Sequence, residues 1–164
     1  MINSIVIRAT TIILALSSFL SCSRQDQSQD DLVNNLFPEA QAELRAVVES
    51  IAKDAMTANV AGLQAIHLQS EKFSKFGPRQ FERQDVASTN ESEAKYFTSL
   101  SHLKYEVRDL KIDVFGDIGV VTYYPHVSFV RAGEQVKGSG RQTLVFLKTT
   151  NGWKIVHEHG TPKV

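Results

Sequence analysis

Apolar and polar positions alternate with two different periods along this chain, and the change of period divides it. From residue 38 to about 101 the apolar positions recur at helical spacing. Leu44, Val47, Val48, Ile51 and Ala55 define one stripe, and Pro38 suits the first turn of that helix, where a missing N–H costs nothing. Asn59 is placed to cap a second, short helix that turns Val60, Leu63 and Ile66 inward. Gly77-Pro78 breaks the pattern, and Gln84 to Ser92 reads as a polar loop. Asn90 followed by Glu93 resembles a capping box and predicts a third helix from Glu91 to about Ser101, presenting Ala94, Phe97 and Leu100.

From Tyr105 the period becomes two. Leu110, Ile112 and Val114 alternate with charged residues up to a turn at Gly116-Asp117. Ile118 to Val130 predicts a long strand, and Gly133-Glu134 turns it into another from about Gln135 to Lys148, with Gly138-Ser139-Gly140 expected to bulge or bend it. Asn151-Gly152 is a hairpin signal, and Trp153 to His159 is the last strand. Helices followed by an antiparallel meander predict an α+β fold with the helices on one face of a bent sheet. No internal repeat or second domain is visible.

Composition narrows the class without naming it. The chain has 164 residues, 42% of them hydrophobic and 22% charged, which suits one globular domain. With 18 basic and 18 acidic side chains, and no basic patch interleaved with aromatics, nucleic acid is not an expected partner. There is one cysteine, Cys22, so an intramolecular disulfide and a cysteine-rich zinc site are both excluded.

The position of that cysteine carries information. Arg8 precedes an apolar run of 12 residues, Ala9 to Leu20, which is shorter than the ~20 needed to span a bilayer. The run ends Phe19-Leu20-Ser21-Cys22, which resembles the lipobox of bacterial lipoproteins, with Phe19 where leucine is commoner. The resemblance implies a signal peptide over 1–21 and a lipidated Cys22. Residues 22–35 then read as a polar tether and 36–164 as the domain. It also implies export and a membrane anchored by acyl chains, with Ser23 favouring the outer membrane, facing the periplasm, in a Gram-negative host.

The candidate chemistry gathers on the last strands. His157 and His159 lie two apart, on the strand face shared with Trp153 and Ile155, and are expected to line a cavity. There the imidazoles could contact a ligand, transfer protons, or close the strand as hydrogen-bonded structural residues. As a metal pair they would need a third ligand from His126, Glu158 or a tyrosine, and Glu158 points to the opposite face on this reading; no metal and no cofactor are expected. Arg141 shares a face with Thr143 and could offer its guanidinium to an anion or lie on the surface. Of Tyr123 and Tyr124 only one can face inward, as a phenol donor or as packing. Asp54 is an available carboxylate on the first helix, whereas His67 and His102 are weak candidates and Glu71, Lys72 and Lys75 read as a solvated face.

The run Gly152-Trp153-Lys154-Ile155-Val156-His157-Glu158-His159 with Pro162 resembles the closing strand of SnoaL-like proteins in the nuclear transport factor 2-like superfamily. Val114 to Tyr123 and Arg141 to Phe146 agree with it, and the resemblance covers residues 38–162. It implies a cone of three helices wrapped by a strongly curved sheet around a cavity, and a homodimer formed through the sheet. Similarity to the calmodulin-dependent kinase association domain and to ketosteroid isomerase would give Arg141 an anion to hold and Tyr123 an oxyanion. The expected function is a lipid-anchored domain that binds a small organic ligand or a partner without turnover. The alternatives are a proton-transfer enzyme of isomerase or dehydratase type using His157, His159 or a tyrosine, and a structural dimerisation module.

Overall fold

A computed structural model describes residues 31–78 and 80–163; the signal-peptide and lipidation readings, including Cys22, lie outside them. Three helices, α1 (Pro38–Met56), α2 (Val60–Ile66) and α3 (Val86–Thr98), pack on one five-stranded sheet. Its strands are β1 (Ser74–Phe76), β2 (Ser101–Phe115), β3 (Ile118–Arg131), β4 (Glu134–Thr149) and β5 (Gly152–Pro162), in the order β1-β5-β4-β3-β2. β2 to β5 form the expected antiparallel meander, and β1, which periodicity did not reveal, adds a parallel edge to β5 and makes the sheet mixed.

The local causes are mostly those visible in the sequence. Pro38 opens α1, and Leu44, Val48, Ala52 and Ala55 are its buried stripe. Asn59 caps α2 by accepting from the Gly62 N–H at 3.2 Å. Gly116, Gly133 and Gly152 take positive φ at the three hairpin turns, where a side chain would be strained. The core is formed where α1 crosses the sheet: Leu44 and Val48 meet Val121, Leu144, Phe146, Trp153 and Ile155. The approach is close, since a Cβ on Gly119 would stand 2.5 Å from a Leu44 methyl.

Three expectations change, and each change bears on the site. Helix α3 starts five residues before Glu91: Asp85 is its cap, accepting from the Ser88 N–H at 2.8 Å, so Asn90 and Glu93 lie inside the helix with their side chains free for other work. The Gly138-Ser139-Gly140 segment runs through β4 without a register shift against β3. The bulge falls instead on β5, where Phe146 pairs with Ile155 and Val145 with His157, leaving Val156 as the extra residue. Because side chains alternate with period two, that one residue inverts the strand: Trp153 and Ile155 face the core, and beyond the bulge Glu158 faces it in place of the histidines.

Candidate functional site

Four chain segments deliver one titratable side chain each to the inner surface of the cone. His67 is the C-cap of α2, where the backbone turns extended and bridges to Ile155 of β5. Glu93 comes from α3, three residues after Asn90, so the two lie on one helix face. Lys75 is the middle residue of β1, and Glu158, its partner across the parallel ladder, is on β5. The Lys75 Nζ lies 2.5 Å from Glu93 Oε1 and 2.9 Å from Glu158 Oε1, and His67 Nε2 is 3.8 Å from the Oε2 atom of each. All four side chains are buried or nearly so.

Polar neighbours orient this tetrad. Asn90 Nδ2 donates to Gln69, which turns its Oδ1 toward His67 Nδ1 at 2.8 Å. The Nδ1 nitrogen therefore carries the proton, and Nε2 is the nitrogen left facing the carboxylates. Gln142 Nε2 donates to Glu158 Oε1 at 3.0 Å. Gln84 is backbone-paired with Lys75 and bonds Ser92 on α3, which ties β1 to that helix.

The electrostatics follow from burial and charge pairing. Burial opposes the Lys75 charge, but Glu158 and Glu93 outweigh it and hold the ammonium well above the lysine range. For His67 burial again opposes charge, and the hydrogen bond and charge of Glu158, with Glu93 and Asn90, raise the imidazole overall. The two carboxyls diverge. Burial pushes Glu158 up, yet Lys75 and His67 override it and keep this carboxylate ionised to low pH. Burial and the Glu158 charge raise Glu93 above the glutamate range, only partly countered by Lys75 and His67. Neighbouring carboxylates with separated affinities are the usual arrangement for one resident charge and one exchangeable proton.

Two hollows meet at the tetrad. A small inner cavity of about 70 Å³ lies between α1, α2 and the sheet, with His67, Glu93, Glu158, Tyr105 and Tyr123 on its wall. The Tyr105 and Tyr123 hydroxyls are 3.1 Å apart; burial lifts Tyr105 to about 12 and Tyr123 well above its ordinary value, so both stay protonated donors. A wider cavity of about 660 Å³ opens on the other side, with Lys75, Glu93, Glu158 and Gln142 at its floor and Phe97, Leu103, Val127, Phe129 and Val136 on its walls. Its volume is that of a site for a small organic molecule, with apolar walls and a few converging polar groups.

The residues singled out from sequence are dispersed. Tyr123 lines the inner cavity, and Arg141 is exposed at the rim of the wide one. His157 and His159 are on the outer face, a correction with the Val156 bulge as its cause. His157 Nδ1 lies 2.9 Å from Ser74 Oγ, and both rings meet the edge of Phe76. Trp153 is a core residue whose Nε1 donates to Glu43 at 2.7 Å, with Lys148 over its ring, and it touches neither cavity. Asp54 serves the α1–α2 corner, accepting from Asn59 at 2.8 Å. His67 and Lys75, ranked low on sequence, are central.

As a metal donor set, His67, Glu93 and Glu158 have ligand atoms within 4.8 Å of one another. Lys75 already supplies a positive charge between the two carboxylates, and an added divalent ion would stand beside that ammonium. Lysine is the cation this cluster is built around.

Comparison with known proteins agrees with the architecture. Residues 44–163 match the family described as SnoaL-like domain. No curated protein matches the sequence. Among solved structures, a nuclear transport factor 2-like superfamily protein from Salmonella enterica serovar Typhimurium is 19% identical with a TM-score of 0.71, over 77% of this chain and 93% of that one. A proposed dehydratase of the same family from Streptomyces avermitilis is 16% identical with a TM-score of 0.70, over 77% and 98%. A protein of unknown function from Pseudomonas putida is 15% identical with a TM-score of 0.68, over 77% and 89%. At these identities the likeness is one of fold.

Proposed function

The chain belongs to the SnoaL-like domain family, and from that premise we propose that it is a binding protein of the cell envelope. Its wide cavity takes a small organic molecule with an apolar body and one polar end. The observation that carries this reading is the convergence of apolar walls on a single charged floor, Lys75, Glu93 and Glu158. Phe97 and Phe129 offer area for a ring, and the floor fixes the orientation of the polar end. Lys75 occupies one oxygen of each carboxylate, an arrangement that holds rather than attacks. Envelope location rests on the apolar run ending in Ser21-Cys22.

Native mass spectrometry of the protein purified from its own host tests the binding. A co-purifying small molecule is expected, and it should be lost when Val127→Trp fills the cavity. A wild-type protein that carries nothing, and whose folding midpoint responds to no member of a small-aromatic library, would overturn the proposal. Anchoring has its own readout, since Cys22→Ala should abolish incorporation of labelled fatty acid.

A second reading is favoured by one observation, the raised proton affinity of Glu93 at a floor open to the cavity. A carboxyl of that kind can give or take a proton from a bound molecule, with a buried phenol nearby to stabilise charge on oxygen. Turnover of this sort would wash deuterium from D₂O into the recovered ligand, and Glu93→Gln would stop it. Unlabelled ligand after prolonged incubation leaves binding alone.

A further inference from the structure

The cone has two ends, and they differ in character. The wide cavity opens at one of them, through the far half of β3 (Val127, Phe129), the start of β4 (Gly138 to Arg141) and the end of β5 (Thr161, Pro162). The opposite end is closed and carries the β2–β3 turn at Gly116 and the β4–β5 turn before Gly152. The described chain enters at this closed end. Leu32 lies against the turn, 3.6 Å from where a Cβ on Gly116 would stand, and Phe37 then joins the core.

Between those two contacts the apolar side chains face outward. Val33 is 83% exposed and Leu36 76%, and Leu32, Phe115 and Ile118 are each more than a third exposed. Half of the exposed large apolar residues among the described ones belong to this entry segment and the turn beside it. Surface apolar residues scattered singly need no explanation, whereas a group at one end calls for a covering partner. The neighbouring cations are already engaged, Lys111 by Asp113 and Lys148 by Glu43, and the turn itself carries the acidic Asp117, so contact would come from the apolar side chains and not from attraction to anionic lipid.

We propose that this closed end rests on the lipid bilayer, with Val33, Leu36 and the Phe115–Ile118 turn dipping into the interface and the cavity mouth directed away from it. The occupant is chosen by the chain itself. Leu32 is ten residue steps beyond Cys22, a reach of at most about 35 Å, so an acylated Cys22 keeps this end close to the membrane that holds it. The inference rests on the anchored reading, and it adds an orientation: the site samples the aqueous side instead of extracting molecules from the bilayer beneath it. Insertion by apolar contact to a depth of about 5–10 Å should occur in uncharged phosphatidylcholine and persist at high salt.

The test uses the acylated full-length product in vesicles of phosphatidylcholine brominated on its acyl chains. Tryptophan is placed at the closed end by Val33→Trp and at the mouth by Val136→Trp, over the constant background of buried Trp153. Quenching of at least about twofold at position 33, with none at position 136, is the expected result and should be unchanged at high salt. Unquenched emission at 33 from a protein that floats with the vesicles would overturn the orientation and leave the anchor standing. A protein that carries no acyl chain by mass spectrometry and does not float would overturn both. Cross-linking of Val33→Cys between copies, with no quenching at 33, would assign the face to a second copy instead and overturn the membrane contact.

Discussion

At the scale of single residues the decisive group is Lys75, an ammonium shared by two buried carboxylates. Removing one partner from a buried charge network leaves the others uncompensated, at a cost of about 3–5 kcal/mol. Lys75→Met should therefore lower unfolding stability in urea by that order, and Glu93→Gln in the same background should recover part of the loss. His157→Ala and His159→Ala should leave ligand occupancy in native mass spectra unchanged, because both imidazoles stand outside the cavity. Retained ligand in Lys75→Met with loss in His159→Ala would reverse the assignment.

The tetrad also predicts a pH dependence with a definite sign. His67 binds its proton more tightly folded than unfolded, so its contribution is complete below 6.5 and is lost as pH rises through the higher folded value. Glu93, also raised, contributes in the same direction from 4.5 upward. Glu158 is depressed, so its contribution is complete above 4.5 and is lost as pH falls through its folded value. Stability measured by urea midpoint should be greatest in mildly acidic solution, and His67→Gln should flatten the decline on the neutral side. An unaltered slope in that variant would remove His67 from the network.

Among the elements, the strand bulge at Val156 matters more than any helix. One extra residue separates a strand half that packs Trp153 and Ile155 from a half that presents Glu158. Deleting Val156 would remove the bulge and leave Glu158 inward and both histidines outward, because His157 would then follow Ile155 directly. The deletion should therefore keep cooperative unfolding and the near-ultraviolet signal of Trp153, and loss of that signal would mean that the strand had slipped in register. At a helix end, Asn59→Ala removes the α2 cap and should cost about 1 kcal/mol, read as a lower thermal midpoint with unchanged ligand occupancy. Retention of the full midpoint would mean that α2 is held by packing alone.

For the whole molecule, the consequence is a cavity whose wall and floor come from different parts of the chain. β3 and β4 supply most of the apolar wall, while β1, α3 and β5 each contribute one charge to the floor. Binding and folding should therefore be coupled. A saturating ligand is expected to raise the thermal midpoint, and Lys75→Met should weaken that response along with the stability.

Periodicity alone was enough for the helical stripe of α1, the cap of α2, the long strands β3 and β4, and the hairpin turns, because each depends on residues near one another in the chain. It also supported an α+β fold with helices on one face of a bent sheet, while the cone was implied by the resemblance to SnoaL-like proteins. The floor was illegible for the same reason in reverse. Asn90 and Glu93 carry the spacing of a capping box, and only the packing of α3 shows that Asp85 caps instead. Lys75 sits in a strand of three residues, too short to show a period. Glu158 has the outward parity of its strand until the register with β4 reveals the bulge.

The sequence by itself determined the three helices, the meander of β2 to β5, their order and most of the apolar faces they bury, since backbone propensity and hydrophobic period are local properties. The tertiary structure alone decided which charges meet. Ion pairing among His67, Lys75, Glu93 and Glu158 depends on strand register, one bulge and a helix start, and each of these is settled by packing between segments far apart in the chain.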